Sequence, residues 1–256
     1  MIFKKLLAPP LCKAIGLIFT IGLLVPWPSS GLAQPISQEV MAQRLQVGVN
    51  WLNAAMLSSS LGTRTLQAQL LPMDIGNYKD FVQLAYPERG SGLDIGTPGL
   101  SAFFQAGAQV DQKLRDVCYL LYNPKAGKDL LDQFIEPHTK FAPQDPPSVV
   151  PYAFLVAHEM GHCLDFQAAP SASRSHPLAS LRMEVAADAF ALLVLRAANV
   201  PPDELSALVS SRRRTVGSHA TWRWIQPALS TALPPTSPRL IKELWEMAEA
   251  LSEKVN

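Results

Sequence analysis

The stretch Val156-Ala157-His158-Glu159-Met160-Gly161-His162-Cys163-Leu164-Asp165 carries H-E-x-x-H inside an apolar run that reads as a helix. Four residues advance a helix by about 400°, so His158 and His162 stand one turn apart on one face and can converge their ring nitrogens on one ion. Two neutral imidazoles suit zinc. Glu159 lies about 100° round from His158, outside the ligand pair but within reach of a water at the metal, where it can serve as a base. The neighbours of the motif are uncharged, as a helix buried beneath a cleft requires.

Outward from this motif, the helix spans about 151–167, opened by Ser148 or Pro151. It follows a stretch holding Pro137, Pro143, Pro146, Pro147 and Pro151, too many prolines for regular structure. A Ser- and Pro-rich loop, 168–177, leads to a second helix at about 178–199, apolar almost all round and therefore expected to be buried; Pro201 and Pro202 end it. Within it Glu184 and Asp188 are one turn apart. A catalytic zinc needs a third protein ligand and an open fourth position. The pattern H-E-x-x-H-x-x-G-x-x-H is excluded, because Asp165 and Ala168 stand where its glycine and third histidine would be. A glutamate from a following helix is another solution. Glu184 meets it, 22 residues beyond His162 and past a loop long enough to reverse the chain.

H-E-x-x-H followed by Glu184-Val185-Ala186-Ala187-Asp188, an E-x-x-A-D sequence, resembles the gluzincin group of zinc metallopeptidases over about residues 149–196. The form is similar to that of the membrane-associated prenyl-protein and heat-shock peptidases, although the several membrane helices of many such enzymes are missing here. The resemblance implies a zincin-like core around an active-site helix, with zinc bound by His158, His162 and Glu184. It also implies that Asp188 accepts a hydrogen bond from a ligand histidine and fixes its tautomer. Asp165 is an alternative supporting acid, or else the partner of a nearby arginine.

Such hydrolysis also needs a group to stabilise the oxyanion. Family members use a downstream His or Tyr, and Ser218-His219-Ala220-Thr221-Trp222-Arg223 offers His219 and Arg223. Their spacing is tighter than in the related membrane peptidases and lacks the prolines found there. His219 is accordingly read either as a transition-state residue or as a structural histidine packed by Trp222 and Trp224. His138 and His176 lie in Pro-rich loops and read as exposed, and Arg212-Arg213-Arg214 reads as a solvated helix end.

The rest of the chain frames this centre. Met41, Leu45, Val49, Leu52 and Met56 recur at helical spacing behind Ser37. Residues 57–101 are broken by glycines and read as loops and short strands, one of them near Leu66–Leu71. Asp116–Tyr122 reads as a strand, inner or edge; as an edge it could pair with an extended peptide. A short helix is expected at about 203–212 and a last one from Ser237-Pro238, with Leu240, Ile241, Leu244, Met247, Ala248 and Leu251 on one face. The fold class expected is α+β, mostly helical with a small sheet.

Composition sets the compartment and excludes partners. Of 256 residues 48% are apolar and only 17% charged, with a mean hydropathy of +0.11, which excludes a charged disordered tail. Lys4, Lys5 and Lys13 precede an apolar run from Ala14 to Val25, and Gly31 and Ala33 suit cleavage before Gln34. Residues 1–33 therefore read as a signal peptide, with an uncleaved anchor as the alternative, and the run is shorter than the roughly 20 residues of a membrane span. Cleavage removes three Lys and no acid, leaving 19 basic against 21 acidic residues and a net charge of −2 over 223 residues. Nucleic acid is thereby disfavoured as a partner. It also leaves Cys118 and Cys163, which could form one disulfide or stay as buried thiols.

The resulting expectation is a single metallopeptidase domain at 34–256, with a catalytic core at about 110–230. It is exported to the periplasm or beyond, acts on a peptide or protein substrate, and meets the membrane only through its N-terminal segment. The alternatives are a zinc-dependent hydrolase of a non-peptide amide in the cell envelope and a zinc-binding module without turnover. Glu159 argues against the latter, since a structural site needs no base.

Overall fold

The computed structural model describes residues 38–56, 65–72, 100–110, 113–122, 148–168, 178–215, 217–235 and 239–255. The expected leader at 1–33, the Pro-rich loops with His138 and His176, and most of 57–99 lie outside the described residues.

The first helix, α1 (Gln38–Met56), buries Met41, Leu45, Val49 and Leu52 along one stripe, as their spacing predicts. Three strands follow: β1 (Thr65–Pro72), β2 (Leu100–Val110) and β3 (Lys113–Tyr122). They form one sheet in the order β1-β3-β2, with β1 parallel and β2 antiparallel to β3. This corrects the reading of Asp116–Tyr122 as an edge available to a peptide. Cys118 pairs with Ala68 on one side and with Phe104 on the other, so both hydrogen-bonding edges of β3 are taken. The alternate residues Cys118, Leu120 and Tyr122 face the common core. Asn53 of α1 meets β1 as a further strand would, its amide donating to Ala68 O and accepting from Ala68 N, both at 2.8 Å.

The motif helix is α2 (Val150–Ala168), preceded by Ser148, whose Oγ accepts from Val150 N at 3.1 Å. The same hydroxyl donates to the buried carboxylate of Glu204. Every residue from Val150 to Gly161 is buried. Three neighbours enclose this helix. Against α1, a Cβ on Gly48 would lie 3.1 Å from Val156 Cγ2, so the two helices touch backbone to side chain. Against the sheet, Cys163 is joined to Cys118 by a disulfide. On the third side lies α3 (Ala179–Ala197), buried from Val185 to Leu195. Asn199 ends α3 at φ 61°, with Val200 N bonded to Leu195 O at 3.1 Å and Asn199 N to Arg196 O at 2.9 Å. These two bonds satisfy carbonyls that the helix end leaves open.

Beyond α3 come α4 (Pro202–Arg212), a 3-10 turn at Gly217–His219, α5 (Trp222–Ile225), a second 3-10 turn at Gln226–Leu229, and α6 (Leu240–Ser252). The apolar face of α6 packs on α3, with Trp245 edge-on to Phe190 at 5.8 Å between ring centres. The described residues thus form a mostly helical α+β fold with a small sheet. Among them no helix is long and apolar enough to cross a membrane.

Candidate metal centre

The close pairing of α2 with α3 brings together side chains that are far apart in sequence. His158 and His162, one turn apart on α2, approach each other at 3.1 Å between their Nε2 atoms, with ring planes at 87°. Glu184 of α3 completes the triangle: Oε2 is 3.3 Å from His158 Nε2, and Oε1 is 3.7 Å from His162 Nε2. One ligand atom from each of the three residues lies within 4.8 Å of the others, so the group could hold a metal ion.

Asp188, one turn after Glu184, is fully buried and contacts His158. Its Oδ1 lies 2.7 Å from His158 Nδ1, the contact expected of a carboxylate that orients a ligand imidazole. Arg212 Nη2 donates to the same oxygen at 2.6 Å, and Thr221 Oγ1 donates to Oδ2 at 2.5 Å. Burial alone would raise the Asp188 carboxyl, but Arg212 first and His158 next hold it below the ordinary carboxylate range.

These charges set the protonation of the centre. Burial lowers the basicity of His158, yet Asp188 and then Glu184 outweigh it and raise its pKa to about 10. His162 goes the other way, lowered to about 4 by burial and by the charge on His158, which leaves a neutral ring with a lone pair. Burial would also raise Glu184, but the imidazoles of His158 and His219 hold it far below the usual range. Glu184 Oε2 is nevertheless buried without a hydrogen bond, although His219 Nδ1 is 2.9 Å away. Two converging ring nitrogens beside a buried carboxylate are a set of donors that could hold a cation.

Glu159 follows His158 and is only 9% exposed. Burial, reinforced by Glu184 and opposed by His158, raises its carboxyl to about 7. His219 is 52% exposed at the end of its 3-10 turn and contacts Glu184, while Arg223 lies over the Trp224 ring at 4.6 Å. The centre therefore assembles His158, His162, Glu184, Asp188 and His219, with Glu159 beside them. Asp165 stands close enough to Glu249 to add to the upward shift that burial gives that carboxyl.

Two further residues, Arg212 and Thr221, join this centre through Asp188. Arg212, expected at a solvated helix end, is buried on Asp188. Its place was legible, because Leu205, Leu208 and Arg212 fall on one stripe of α4. Thr221 has no sequence signal of its own, since only the tertiary fold brings it to Asp188. Cys163, left open between packing and a disulfide, is bonded to Cys118. Compared with protein-family models, with curated proteins and with solved structures, the chain matches none.

Proposed function

We propose that the chain is an exported zinc metallopeptidase with a zincin-like core of the gluzincin type. The observation that carries this reading is the His158–His162–Glu184 triangle with a carboxylate base beside it and a buried carboxylate behind it. Zinc bonds of about 2.0–2.2 Å at tetrahedral angles separate ligand atoms by about 3.4 Å. The three spacings of 3.1, 3.3 and 3.7 Å bracket that value. Two imidazoles and one carboxylate, with no fourth protein donor among the described residues, suit a catalytic rather than a structural zinc.

When bound, zinc supplies a Lewis acid that polarises the scissile carbonyl and lowers the pKa of water. The chain's own groups do the rest. Glu159, buried next to His158, takes the proton of the attacking water and returns it to the departing amine. His219, half exposed and 2.9 Å from Glu184, would be the donor to the oxygen that gains charge. Asp188 holds the His158 ring in its ligand orientation.

The Cys118–Cys163 disulfide supports an oxidising compartment, in line with the leader at 1–33. Metal analysis of the purified protein with an unbiased peptide-library digest tests the function, and sequencing of the mature amino terminus tests export. One zinc per chain, peptide cleavage and a terminus at Gln34 are expected. Zinc binding without any peptide cleavage would refute the peptidase assignment.

A further inference from the structure

We propose that Arg212 and Thr221 are positioning residues of the metal centre, which lock the Asp188 carboxylate so that His158 presents Nε2 to the ion. The inference rests on the metal reading above. A lone imidazole donor would leave a buried carboxylate free to turn about its own bond, with one oxygen unsatisfied in an apolar surrounding. Here the carboxylate plane is fixed from three segments of chain: His158 Nδ1 on α2 at 2.7 Å, Arg212 Nη2 at the end of α4 at 2.6 Å, and Thr221 Oγ1 just before α5 at 2.5 Å. The first two meet Oδ1 and the third takes Oδ2.

Arg212 is itself held. Its guanidinium carbon lies 5.4 Å from the centre of the Phe154 ring, and Phe154 stands one turn before His158 on α2. Phe154, Arg212, Asp188 and His158 thus close a loop of contacts, and a shift of Arg212 reaches the ligand ring through Asp188. The charge arrangement points the same way. Glu184 and Asp188 are two carboxylates one turn apart on a buried helix, and Arg212 offsets the charge of Asp188, the one that faces away from the other ligand side chains onto His158 Nδ1.

The test is a titration of metal-free folded protein with Co2+, read by its visible absorption and by displacement with Zn2+. Arg212→Gln is expected to weaken Co2+ binding by about 10- to 100-fold, the usual effect of removing a group that supports a ligand histidine. Arg212→Lys keeps the charge without the planar fork and recovers part of the loss. Thr221→Val weakens binding less, and Thr221→Ser restores it. Should Arg212→Gln fail to fold, the Thr221 pair decides. Variants that melt lower in the metal-free form yet keep wild-type Co2+ affinity and absorption would show a purely structural role and overturn the inference. Failure of the wild type itself to bind Co2+ or Zn2+ would instead overturn the metal reading.

Discussion

Gly161 of α2 and Ala187 of α3 meet so closely that a Cβ on Gly161 would lie 2.9 Å from Ala187 Cα and 3.2 Å from its Cβ. The contact sits at the middle of the centre, since Gly161 precedes His162 and Ala187 precedes Asp188. It sets the distance at which Glu184 can face the two histidines. Gly161→Ala would gain about 1 kcal/mol in helix propensity, but the collision is with backbone, which cannot swing aside, and overpacking costs about 1–3 kcal/mol. The expected result is a folded, somewhat less stable protein with weakened metal affinity. Calorimetric metal titration checks it, and a variant binding as tightly as wild type would show that α2 and α3 have room to separate.

Under the proposed function, Glu159 and Glu184 should fail in different ways. Glu159→Gln removes the base and leaves the ligands, so it should keep one zinc per chain while peptide hydrolysis falls by about 100- to 10,000-fold. Glu184→Ala removes a ligand and should lose the metal with the activity. Zinc content measured beside turnover separates the two; equal turnover by Glu159→Gln and wild type would sink the mechanism.

Much of this centre is legible in the sequence alone. H-E-x-x-H fixes its own geometry, because a helix alone dictates that residues four apart share a face. Glu184 and Asp188 were legible for a different reason: two acids inside an apolar helix need a partner, and α2 was the nearest source of one. The helices α1, α2, α3 and α4 were found within two residues at their ends, their apolar stripes being long and regular. β2 was not read, since Leu100–Val110 mixes Ser, Gln, Gly and Ala with two phenylalanines and shows no alternation to mark a strand. The central place of β3 was equally hidden, because an apolar run reports burial but not which strands flank it. The charge of Arg212 suggests a solvated helix end, whereas its periodicity places it on the buried stripe of α4.

Tyr122 and Tyr152 give a pH dependence remote from the metal centre. Burial raises the Tyr152 hydroxyl above its ordinary value of 10.0, against the opposing charge of Arg44, which donates to it at 3.0 Å; burial raises Tyr122 as well. A folded pKa above the unfolded one means that the folded state holds the proton more tightly. These two residues therefore leave stability unchanged below about pH 10 and reduce it as the unfolded chain begins to ionise above that. Denaturant midpoints should fall on the alkaline side together with the appearance of tyrosinate absorbance, and less steeply in Tyr122→Phe. That substitution removes a buried hydroxyl without a hydrogen-bond partner, so it should cost little at neutral pH. A large loss of stability there would contradict the burial of an unsatisfied group.

The Cys118–Cys163 bond closes a loop of 45 residues between the central strand and the motif helix. Chain-entropy arguments give about 4 kcal/mol for a loop of that length, a large share of the stability of a single domain. α2 is also enclosed by α1 and α3, so reduction should lower the unfolding midpoint without dispersing the helix at moderate temperature, and the histidines should remain convergent. Three cysteines are present and two are bonded, so the denatured unreduced full chain should show one reactive thiol, Cys12, and three after reduction. A chain cleaved before Gln34, as the proposed export implies, should show none and then two, so one measurement tests both the disulfide and the cleavage. Two reactive thiols in the unreduced cleaved protein would show that the bond does not form.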